Sequence, residues 1–565
     1  MMNYLDRYAF WCNANLPEDV RTKLRDMKND EEALKGSFSS DLQFGTAGMR
    51  GIMGMGSNRL NVYTVRRAAQ GMAAWLRSTD LPQKAAIGYD SRHQSQEFAN
   101  VCAVAFAEAG ITTYLYDRLA PTPMLSYAVR ELGCGCGIVI SASHNSGVYN
   151  GVKCYGPDGC QMTDAPAAIV TETIAKIPYF IPEEKSFEAF MDDGLIKYID
   201  QSLWERYYET VLAEAVEPEL IKKSGLNVVY TPLCGTGNEP VREVLGRLGA
   251  NISVVACQEK PDGDFKTCEY PNPETDAALN ESYKVAANAP CDVILGTDPD
   301  CDRVAIAIPN GDVFVKITGN ELGCLLLDYI LKARSAKEDI PEGAITVRSL
   351  VSSPLADRIA EHYGVEMKAV LTGFKYIGGE ILALEEQHQE NRFIFGFEES
   401  CGYLKGTYAR DKDAVVASML VCELAAFCKL QGKSILDAMN ALYDTYGYYL
   451  AHVTSVELTG ADAMEKAAKI MADLRSSTPD AIGGLTITKI NDYGARTSRD
   501  VKTGETLPIA LPKSNVLELI LGDKGSVIAR PSGTEPKVKF YYTAVAADKE
   551  AAAQQIAAMR KQMEA

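Results

Sequence analysis

The short stretch SASHN, at residues 141–145, places two hydroxyls, an imidazole and an amide directly after the apolar run at residues 137–140. A serine in such a loop can accept a phosphoryl or acyl group, with His144 and Lys153 near enough in sequence to move a proton or balance charge. The same residues can also form a turn in which the hydroxyls only satisfy backbone groups. A classical serine hydrolase is disfavoured, because the GxSxG motif is absent.

Three aspartates alternate in the stretch GTDPDCDR, where Asp298, Asp300 and Asp302 follow the apolar segment CDVIL. Carboxylates this close repel one another unless a cation lies between them. An EF-hand calcium loop is excluded, because Arg303 and Pro309 stand where it requires glycine and glutamate. The pattern favours Mg²⁺ bridging to a phosphate, and a solvated acidic turn is the alternative.

A third stretch, ARPSGTEPKVKFYY, has the composition of a phosphate-binding loop. It supplies a guanidinium, two hydroxyls and a glycine, at Arg530, Ser532, Thr534 and Gly533. Lys537 and Lys539 are two residues apart on a predicted strand, so they share one face and can extend the loop's positive charge. A surface turn is the alternative. The GKS at residues 432–434 does not form a nucleotide P-loop, because Phe427 stands where that motif requires glycine.

Three further loops combine glycine with polar groups. The first, FGTAGMRG, contains Arg50, and the second, LTGFK, contains Thr372, Gly373 and Lys375. The third, FEES, contains Glu398 and Ser400, and Lys412 lies further along the same stretch. Paired acceptors such as those of FEES suit sugar hydroxyls. The alternatives are an exposed charged loop for FEES and a capped helix start for LTGFK.

The elements that must position these loops recur in three segments that begin near Ala85, Leu226 and Ala344. Each segment has a β-branched strand, a polar turn, an amphipathic helix and a second strand. This order predicts α/β domains with mostly parallel sheets covered on both faces, and binding residues in the loops after the strands. From about Tyr449 the pattern changes to that of an α+β domain. We predict domains at 1–203, 204–318, 319–448 and 449–565.

Composition narrows the class of protein. A chain of 565 residues is too long for one core, so roughly three to four domains are expected. The formal charge of −18, without a basic stripe, argues against nucleic acid as a partner. Fifteen scattered cysteines and an N-terminus without a signal pattern predict a reduced, cytoplasmic protein. The long uncharged run at residues 132–152 is rich in Gly, Ser and Asn, so no membrane association is expected.

Taken in order along nearly the whole chain, these loops resemble those of the α-D-phosphohexomutase superfamily, most closely its phosphoglucomutase and phosphopentomutase branch. The resemblance implies four α/β-type domains around a central cleft, three related to one another and a C-terminal α+β domain. It implies that Ser143 is the phosphorylated residue. It also implies a Mg²⁺ ion on Asp298, Asp300, Asp302 and a phosphate oxygen of Ser143.

The resemblance implies roles for the other loops as well. Sugar-phosphate contacts are expected from Arg303, Thr372, Gly373, Lys375, Glu398 and Ser400. Binding of the phosphate that is not reacting is expected from Arg530, Ser532, Gly533, Thr534 and Lys539. The candidates for moving the hydroxyl proton are Arg50, His144, Lys153 and Lys412.

The activity that the resemblance implies is interconversion of glucose 1-phosphate and glucose 6-phosphate through glucose 1,6-bisphosphate. Phosphopentomutase and phosphomannomutase activity are alternatives, because contacts to sugar hydroxyls are worth only a few kcal/mol each. A catalytically silent sugar-phosphate-binding protein and a phosphatase are alternatives from other classes. We expect a monomer or homodimer that acts on a small-molecule phosphosugar.

The chain departs from the family pattern at a few positions. Ser146 stands where many members have proline, which is expected to matter little. Cys401 and Tyr403 follow FEES where some bacterial members carry histidine, which argues against a histidine acid or base in that loop and against dual mannose and glucose specificity. Lys539 replaces an arginine found in several members and so weakens bidentate phosphate binding.

Overall fold

A computed structural model describes residues 3–45, 48–458, 463–531 and 537–564. The chain forms two compact units. The first unit contains the chain up to Thr318 together with Ile377–Gly396 and Ser400–Gly432, and the second contains Gly319–Tyr376, Phe397–Glu399 and the chain from Lys433 onward.

The elements follow one another along the chain with helices and strands alternating in most of it. Up to Tyr198 they are α1 (Tyr4–Cys12), α2 (Glu18–Asp26), α3 (Glu31–Phe38), β1 (Gly48–Ile52), α4 (Val62–Arg77), β2 (Lys84–Tyr89), α5 (Ser95–Glu108), β3 (Thr112–Leu115), α6 (Thr122–Glu131), β4 (Cys136–Ile140), β5 (Tyr149–Tyr155), α7 (Asp164–Ile174), α8 (Phe187–Asp192) and β6 (Ile196–Tyr198). Up to Ile317 they are α9 (Gln201–Ala213), α10 (Glu219–Ser224), β7 (Asn227–Thr231), α11 (Asn238–Arg247), β8 (Asn251–Val254), α12 (Ala256–Glu259), α13 (Asp276–Ala286), β9 (Val293–Thr297), β10 (Val304–Asn310) and β11 (Val313–Ile317).

The remaining elements follow in the same order. They are α14 (Gly319–Ala336), β12 (Ile345–Ser349), α15 (Leu355–His362), β13 (Glu366–Val370), α16 (Phe374–Glu385), β14 (Phe393–Glu398), β15 (Gly402–Lys405), α17 (Ala414–Leu430), α18 (Ile435–Tyr446), β16 (Tyr448–Glu457), α19 (Ala463–Ser476), β17 (Ala481–Ile482), β18 (Leu485–Thr486), β19 (Lys489–Asp492), β20 (Thr497–Asp500), β21 (Thr506–Pro508), β22 (Leu517–Ile520), β23 (Gly525–Pro531), β24 (Lys537–Ala546) and α20 (Lys549–Met563).

The first unit contains two mixed sheets. One has the strand order β1-β5-β4-β2-β3-β6, in which β2 pairs in parallel with β3 and β4, while β5 pairs antiparallel with β1 and β4. The other has the order β11-β10-β9-β7-β8, with β7, β8 and β9 parallel and β10 and β11 antiparallel. The predicted parallel strands are therefore present, but each sheet also contains antiparallel strands, because the chain turns straight back after β4 and after β9.

The second unit contains a large antiparallel sheet with the order β16-β24-β23-β22-β19-β20-β21. Its core includes Val527, Phe540 and Tyr542 from the sheet together with Met471 and Met559 from α19 and α20. In the same unit β12 pairs in parallel with β13. Antiparallel strands with helices confirm the α+β character that was predicted for the C-terminal part.

The three recurring segments of the sequence form the predicted elements. They are β2-α5-β3, β7-α11-β8 and β12-α15-β13, and the two strands of each segment pair in parallel. Burial explains the strands, since every residue of β4, β9 and β12 is buried. In the part of the chain that the structure describes, no single helix is long and apolar enough to span a membrane; one consecutive pair, α17 with α18, passes that test by length and composition only.

Candidate active site

Ser143 lies three residues after the end of β4, in a loop that β5 continues. Its backbone has a φ of 52°, in the left-handed region that serine seldom adopts. The backbone N–H of Ser143 donates to Ser141 Oγ at 2.8 Å, which helps to hold this conformation. The nearly buried hydroxyl of Ser143 donates to Asp298 Oδ2 at 2.6 Å.

The aspartate loop follows β9 and ends where β10 begins. Asp298 Oδ1 accepts the backbone N–H groups of Asp302 and Arg303, at 3.1 and 3.0 Å, so the loop folds around this carboxylate. Cys301, at the tip, has a φ of 54°. This tight turn brings three carboxylates to the same edge of the sheet, after the carboxyl end of a strand, as expected for a binding site.

The three aspartates form a compact set of oxygen donors. Asp298, Asp300 and Asp302 are buried, and each offers an oxygen within 4.8 Å of the others. Among the residues that the structure describes, Asp300 Oδ1 and Asp302 Oδ1 are buried without a hydrogen-bond partner. Buried, unpartnered carboxylate oxygens suit a hard divalent cation.

Two lysines meet the same carboxylates. Lys153 Nζ, on β5, lies 2.5 Å from Asp300 Oδ2 and 3.1 Å from Asp302 Oδ2. Lys412 Nζ lies 3.2 Å from Asp302 Oδ2 and 2.9 Å from Asp411 Oδ1. The structure therefore gathers Ser143, both lysines and the aspartate loop in the first unit.

The pKa values of the carboxylates follow their surroundings. Burial raises the pKa of Asp298 well above its usual 3.8, and the charges of Asp300 and Asp302 add to that effect. Burial alone would raise the pKa of Asp302 as well, but Lys153 and Lys412 outweigh it and lower that pKa. Burial alone would lower the pKa of Lys153, yet Asp300 and Asp302 raise it above its ordinary 10.5.

The first unit also contains His144, Arg50, Arg303 and Ser400 among the predicted residues. His144 Nδ1 lies 3.2 Å from Ser143 Oγ, and burial together with the charge of Arg303 lowers the pKa of His144 well below 6.5. Arg50, on β1, donates to Asn145 Oδ1 at 3.0 Å. Arg303 Nη1 donates to Glu274 at 2.9 Å. Ser400 lies in the turn between β14 and β15.

Sequence reasoning missed several residues of the site. Thr122, the first residue of α6, donates its hydroxyl to Asp300 Oδ2 at 2.7 Å and its N–H to the carbonyl of Asp300 at 2.9 Å. Asp411 holds Lys412 and accepts the hydroxyl of Tyr155 at 2.8 Å. The only sequence signal for Thr122 is a hydroxyl between two prolines at a predicted helix start. Asp411 has no such signal, because it is one of several charged residues in a row.

The second unit contains the sugar-contact candidates Thr372, Gly373, Lys375 and Glu398. Gly373 N–H donates to Glu398 Oε1 at 2.7 Å, so the loop LTGFK and the loop FEES meet. Glu399 Oε2 accepts the hydroxyl of Ser349 at 2.9 Å. Thr372 is half-buried, and Lys375 Nζ lies 5.0 Å from the ring centre of Tyr376.

The phosphate-binding candidates Arg530 and Lys539 face each other across β23 and β24. Two cations directly opposite on neighbouring strands disfavour each other unless an anion lies near. Burial and the charge of Glu399 raise the pKa of Tyr541 to about 12, while the nearby Arg530 opposes the rise. The predicted residues Ser532, Gly533 and Thr534 lie outside the described residues.

Comparison with protein-family models matches four domains of one family in order. Residues 41–179, 205–311 and 318–446 match the phosphoglucomutase/phosphomannomutase alpha/beta/alpha domains I, II and III. Residues 494–562 match the C-terminal domain of the same family.

Curated relatives share the sequence over most of both chains. A phosphoglucomutase of Staphylococcus aureus (strain bovine RF122 / ET3-1) is 38% identical over 92% of this chain and 93% of its own length. A phosphoglucomutase of Staphylococcus epidermidis is 36% identical over 93% of this chain and 94% of its own length.

Solved structures share the fold. A putative phosphomannomutase from Thermus thermophilus matches 93% of this chain and all of its own, with a TM-score of 0.69 and 21% identity. The open form of parafusin, a phosphoglucomutase from Paramecium, also matches 93% of this chain and 95% of its own, with a TM-score of 0.69 and 16% identity. The chain therefore belongs to the phosphoglucomutase/phosphomannomutase family, within the phosphoglucomutase branch of the α-D-phosphohexomutase superfamily, and is an isomerase of the phosphosugar mutase class.

Proposed function

We propose that this protein interconverts glucose 1-phosphate and glucose 6-phosphate through glucose 1,6-bisphosphate, with Ser143 as the residue that carries the phosphoryl group. One observation supports the role of Ser143 most strongly. Its hydroxyl, in a rarely adopted backbone conformation, lies 2.6 Å from the first carboxylate of a buried acidic triad that two lysines flank. The names of the curated relatives support the choice of glucose.

The proposed reaction has two half-reactions. In the first, the free 6-hydroxyl of glucose 1-phosphate attacks the phosphorus of phosphorylated Ser143, the new O–P bond forms, and the Ser143 Oγ–P bond breaks. In the second, Ser143 Oγ attacks the other phosphate of the bisphosphate and releases glucose 6-phosphate. The proton of the attacking hydroxyl passes to a base in the first half-reaction and returns in the second.

Different residues of the first unit are proposed to have different roles in this reaction. Asp298, Asp300 and Asp302 would hold Mg²⁺, which when bound neutralises negative charge on the phosphoryl group. Lys153 and Lys412 supply fixed positive charge beside the same carboxylates. Arg50, His144, Lys153 and Lys412 stay the candidates for moving the proton, and His144 Nδ1 lies 3.2 Å from the serine oxygen.

The remaining predicted loops are proposed to bind the sugar and the phosphate that is not reacting. The carboxylate of Glu398, oriented by Gly373, and the hydroxyl of Ser400 suit sugar hydroxyls. The opposed cations Arg530 and Lys539 suit a phosphate, together with Ser532, Gly533 and Thr534, which lie between them in the sequence. Arg303, Thr372 and Lys375 are also proposed to contact the sugar phosphate.

The experiment that tests this function compares wild type with Ser143→Ala on glucose 1-phosphate, with and without added glucose 1,6-bisphosphate. We expect formation of glucose 6-phosphate to fall by roughly 10⁴-fold or more, the scale of losing a covalent nucleophile. Ser202→Ala removes an exposed serine at the start of α9 and is the matched control, with wild-type activity expected. Activity retained in Ser143→Ala would refute the proposed role of Ser143.

The sugar is tested by comparing kcat/KM on glucose, mannose and ribose 1-phosphates. We expect a preference for glucose, and a clear preference for ribose would instead assign a phosphopentomutase. Release of inorganic phosphate at a rate matching isomerisation would favour a phosphatase, and binding of sugar phosphate without turnover would favour a silent binding protein.

The proposal also includes a cellular location and an oligomeric state. A cytoplasmic location, expected from the fifteen cysteines, is tested by fractionation of cells that produce the protein. A monomer or homodimer is tested by light scattering of the purified chain. Neither nucleic acid nor membrane is proposed as a partner.

A further inference from the structure

Arg92 holds four backbone carbonyl groups of the segment that contains the proposed nucleophile. We call residues 141–149, between β4 and the start of β5, the Ser143 loop. Arg92 Nη2 donates to the carbonyl oxygens of Ser143 and Asn145. Arg92 Nη1 donates to those of Ser146 and Tyr149, at 2.8 and 3.0 Å. One planar guanidinium therefore meets carbonyls from both ends of the loop.

The loop needs such support because Ser143 has a φ of 52°. Non-glycine residues persist in the left-handed region where surrounding contacts determine the backbone more strongly than its own preference does. In this loop Ser141 fixes the N–H of Ser143, and Arg92 fixes its carbonyl. The two contacts hold both peptide groups of Ser143, and with them the direction of Oγ toward Asp298.

Arg92 is itself held from two other sides. Its side chain is fully buried, and Nε lies 3.3 Å from Oδ2 of the equally buried Asp90. The guanidinium carbon lies 5.0 Å from the ring centre of Phe265, which belongs to the segment between α12 and α13. In the same segment, Gly263 lies so close to Gly147 of the Ser143 loop that a Cβ at Gly147 would lie 2.6 Å from the Gly263 carbonyl oxygen. A buried charge with this many partners has a fixed position.

We propose that Arg92 is a positioning residue for phosphoryl transfer: it locks the Ser143 loop in the one conformation that presents Ser143 Oγ to the aspartate loop. The inference rests on the proposed function of Ser143 as phosphoryl carrier. Arg92 does not touch the reacting atoms; its effect passes through the four carbonyls. A lysine at this position keeps the charge but lacks the fork that reaches carbonyls on two sides.

Arg67 provides a matched control within the same unit. It is also a buried arginine that donates to two backbone carbonyls, those of Ile174 and Ile177, at 2.8 and 2.9 Å. Its guanidinium carbon lies 3.8 Å from the ring centre of Tyr179. Arg67→Met therefore removes the same kind of interaction from a segment that contains no proposed site residue.

The test compares the variants Arg92→Met, Arg92→Lys and Arg67→Met, each made in the full chain. For each variant we would measure kcat, KM and the temperature of thermal unfolding. Intact mass spectrometry would measure the rate at which glucose 1,6-bisphosphate phosphorylates Ser143. For Arg92→Met we expect a kcat and a phosphorylation rate roughly 100-fold below wild type, the scale of a reacting group misplaced by about 1 Å, with little change in KM. Arg92→Lys should also have a lower kcat and a lower phosphorylation rate than wild type. Arg67→Met should unfold at lower temperature and keep the wild-type kcat below that temperature.

Several results would overturn the inference. One is a folded Arg92→Lys or Arg92→Met protein with wild-type kcat and phosphorylation rate. Another is an equal loss of kcat in Arg67→Met, which would make the effect one of general stability. Failure of both Arg92 variants to fold while Arg67→Met folds would likewise assign Arg92 to stability alone. Absence of phosphate on Ser143 in wild type would instead refute the proposed function, so the two failures are distinguishable.

Discussion

At the scale of single residues, Lys153 is the lysine that pairs with two carboxylates of the buried acidic triad, those of Asp300 and Asp302. Removing one partner of a buried ion pair leaves an uncompensated charge and costs roughly 3 kcal/mol of stability. We expect Lys153→Met to lower the free energy of unfolding of the metal-free protein by about that amount at neutral pH, measured by urea denaturation. The exposed pair of Lys185 and Asp193, at 2.7 Å, gives the control Lys185→Met, for which less than about 1 kcal/mol is expected.

The pH dependence of this difference follows from the direction of the pKa shifts. Despite burial, the pKa values of Asp300 and Asp302 lie below the ordinary 3.8, so their pairing stabilises the folded state above that pH and is lost as the pH falls below it. The pKa of Lys153 lies above 10.5, so its contribution is present below that value and is lost at higher pH. The difference in free energy of unfolding between wild type and Lys153→Met should therefore be largest between these two pH limits. An equal gap at pH 3 and pH 7 would contradict this assignment.

The residues of the site differ in how far the sequence predicts them. The alternating aspartates and the serine with its histidine carry their chemistry in their own spacing, so Ser143 and Asp298 are recognisable from the sequence alone. Arg92 and Thr122 are not, because their partners lie far along the chain and a single arginine or threonine after a strand is common in surface turns. Sequence spacing indicates reacting groups better than the groups that hold them.

At the scale of elements, the turn before α16 depends on a glycine. Gly373 has a φ of 121°, and its N–H orients Glu398. Gly373→Ala is expected to strain this turn and release Glu398, which lowers kcat/KM for glucose 1-phosphate roughly tenfold, the value of one charge-assisted hydrogen bond. The measurement is steady-state kinetics on purified protein.

Gly379, within α16, is the control for that substitution, because a Cβ added there would have no atom within 4 Å from the rest of the described chain beyond its own helical turn. Alanine favours a helix over glycine by up to about 1 kcal/mol, so Gly379→Ala should keep kcat/KM and hold or raise stability. If Gly373→Ala retained wild-type kcat/KM, the proposed contact of Glu398 with the sugar would lose its support.

The elements themselves were largely predictable because their periodicity is local. The strand, helix and second strand of β2-α5-β3 can each be read from apolar spacing. The antiparallel strands β5 and β10 were not expected as sheet members, since a short polar loop after a buried strand does not reveal which way the chain continues. This difference matters, because β5 carries Lys153 into the site.

At the scale of the whole molecule, the chain returns to its first unit after leaving it. Residues Ser400–Gly432 belong to the same unit as the aspartate loop, and α17 packs there against α10 and α11. Two backbone hydrogen bonds join the loops directly: Val304 N–H donates to the carbonyl of Cys401 at 3.1 Å, and Ala414 N–H donates to that of Cys301 at 3.2 Å. Local sequence patterns do not encode such returns, because they report only on residues that are close together along the chain.

A fragment of residues 1–318 is therefore expected to lack a cooperative thermal transition, because it loses α17 and the partners of the aspartate loop. Circular dichroism melting and limited proteolysis measure this. Co-expression with residues 319–565 is the matched control and should restore folding by supplying the missing segments. A fragment that melted cooperatively by itself would show that residues 400–432 are dispensable for the first unit.

The most direct test of the central claim follows the phosphoryl group itself. Protein carrying ³²P on Ser143 is mixed with unlabelled glucose 1-phosphate, and the products are separated within a single turnover. We expect the label to move from Ser143 into glucose 1,6-bisphosphate and then into glucose 6-phosphate. Label that stayed on the protein while glucose 6-phosphate formed, or that appeared only as inorganic phosphate, would contradict the role of Ser143 as phosphoryl carrier.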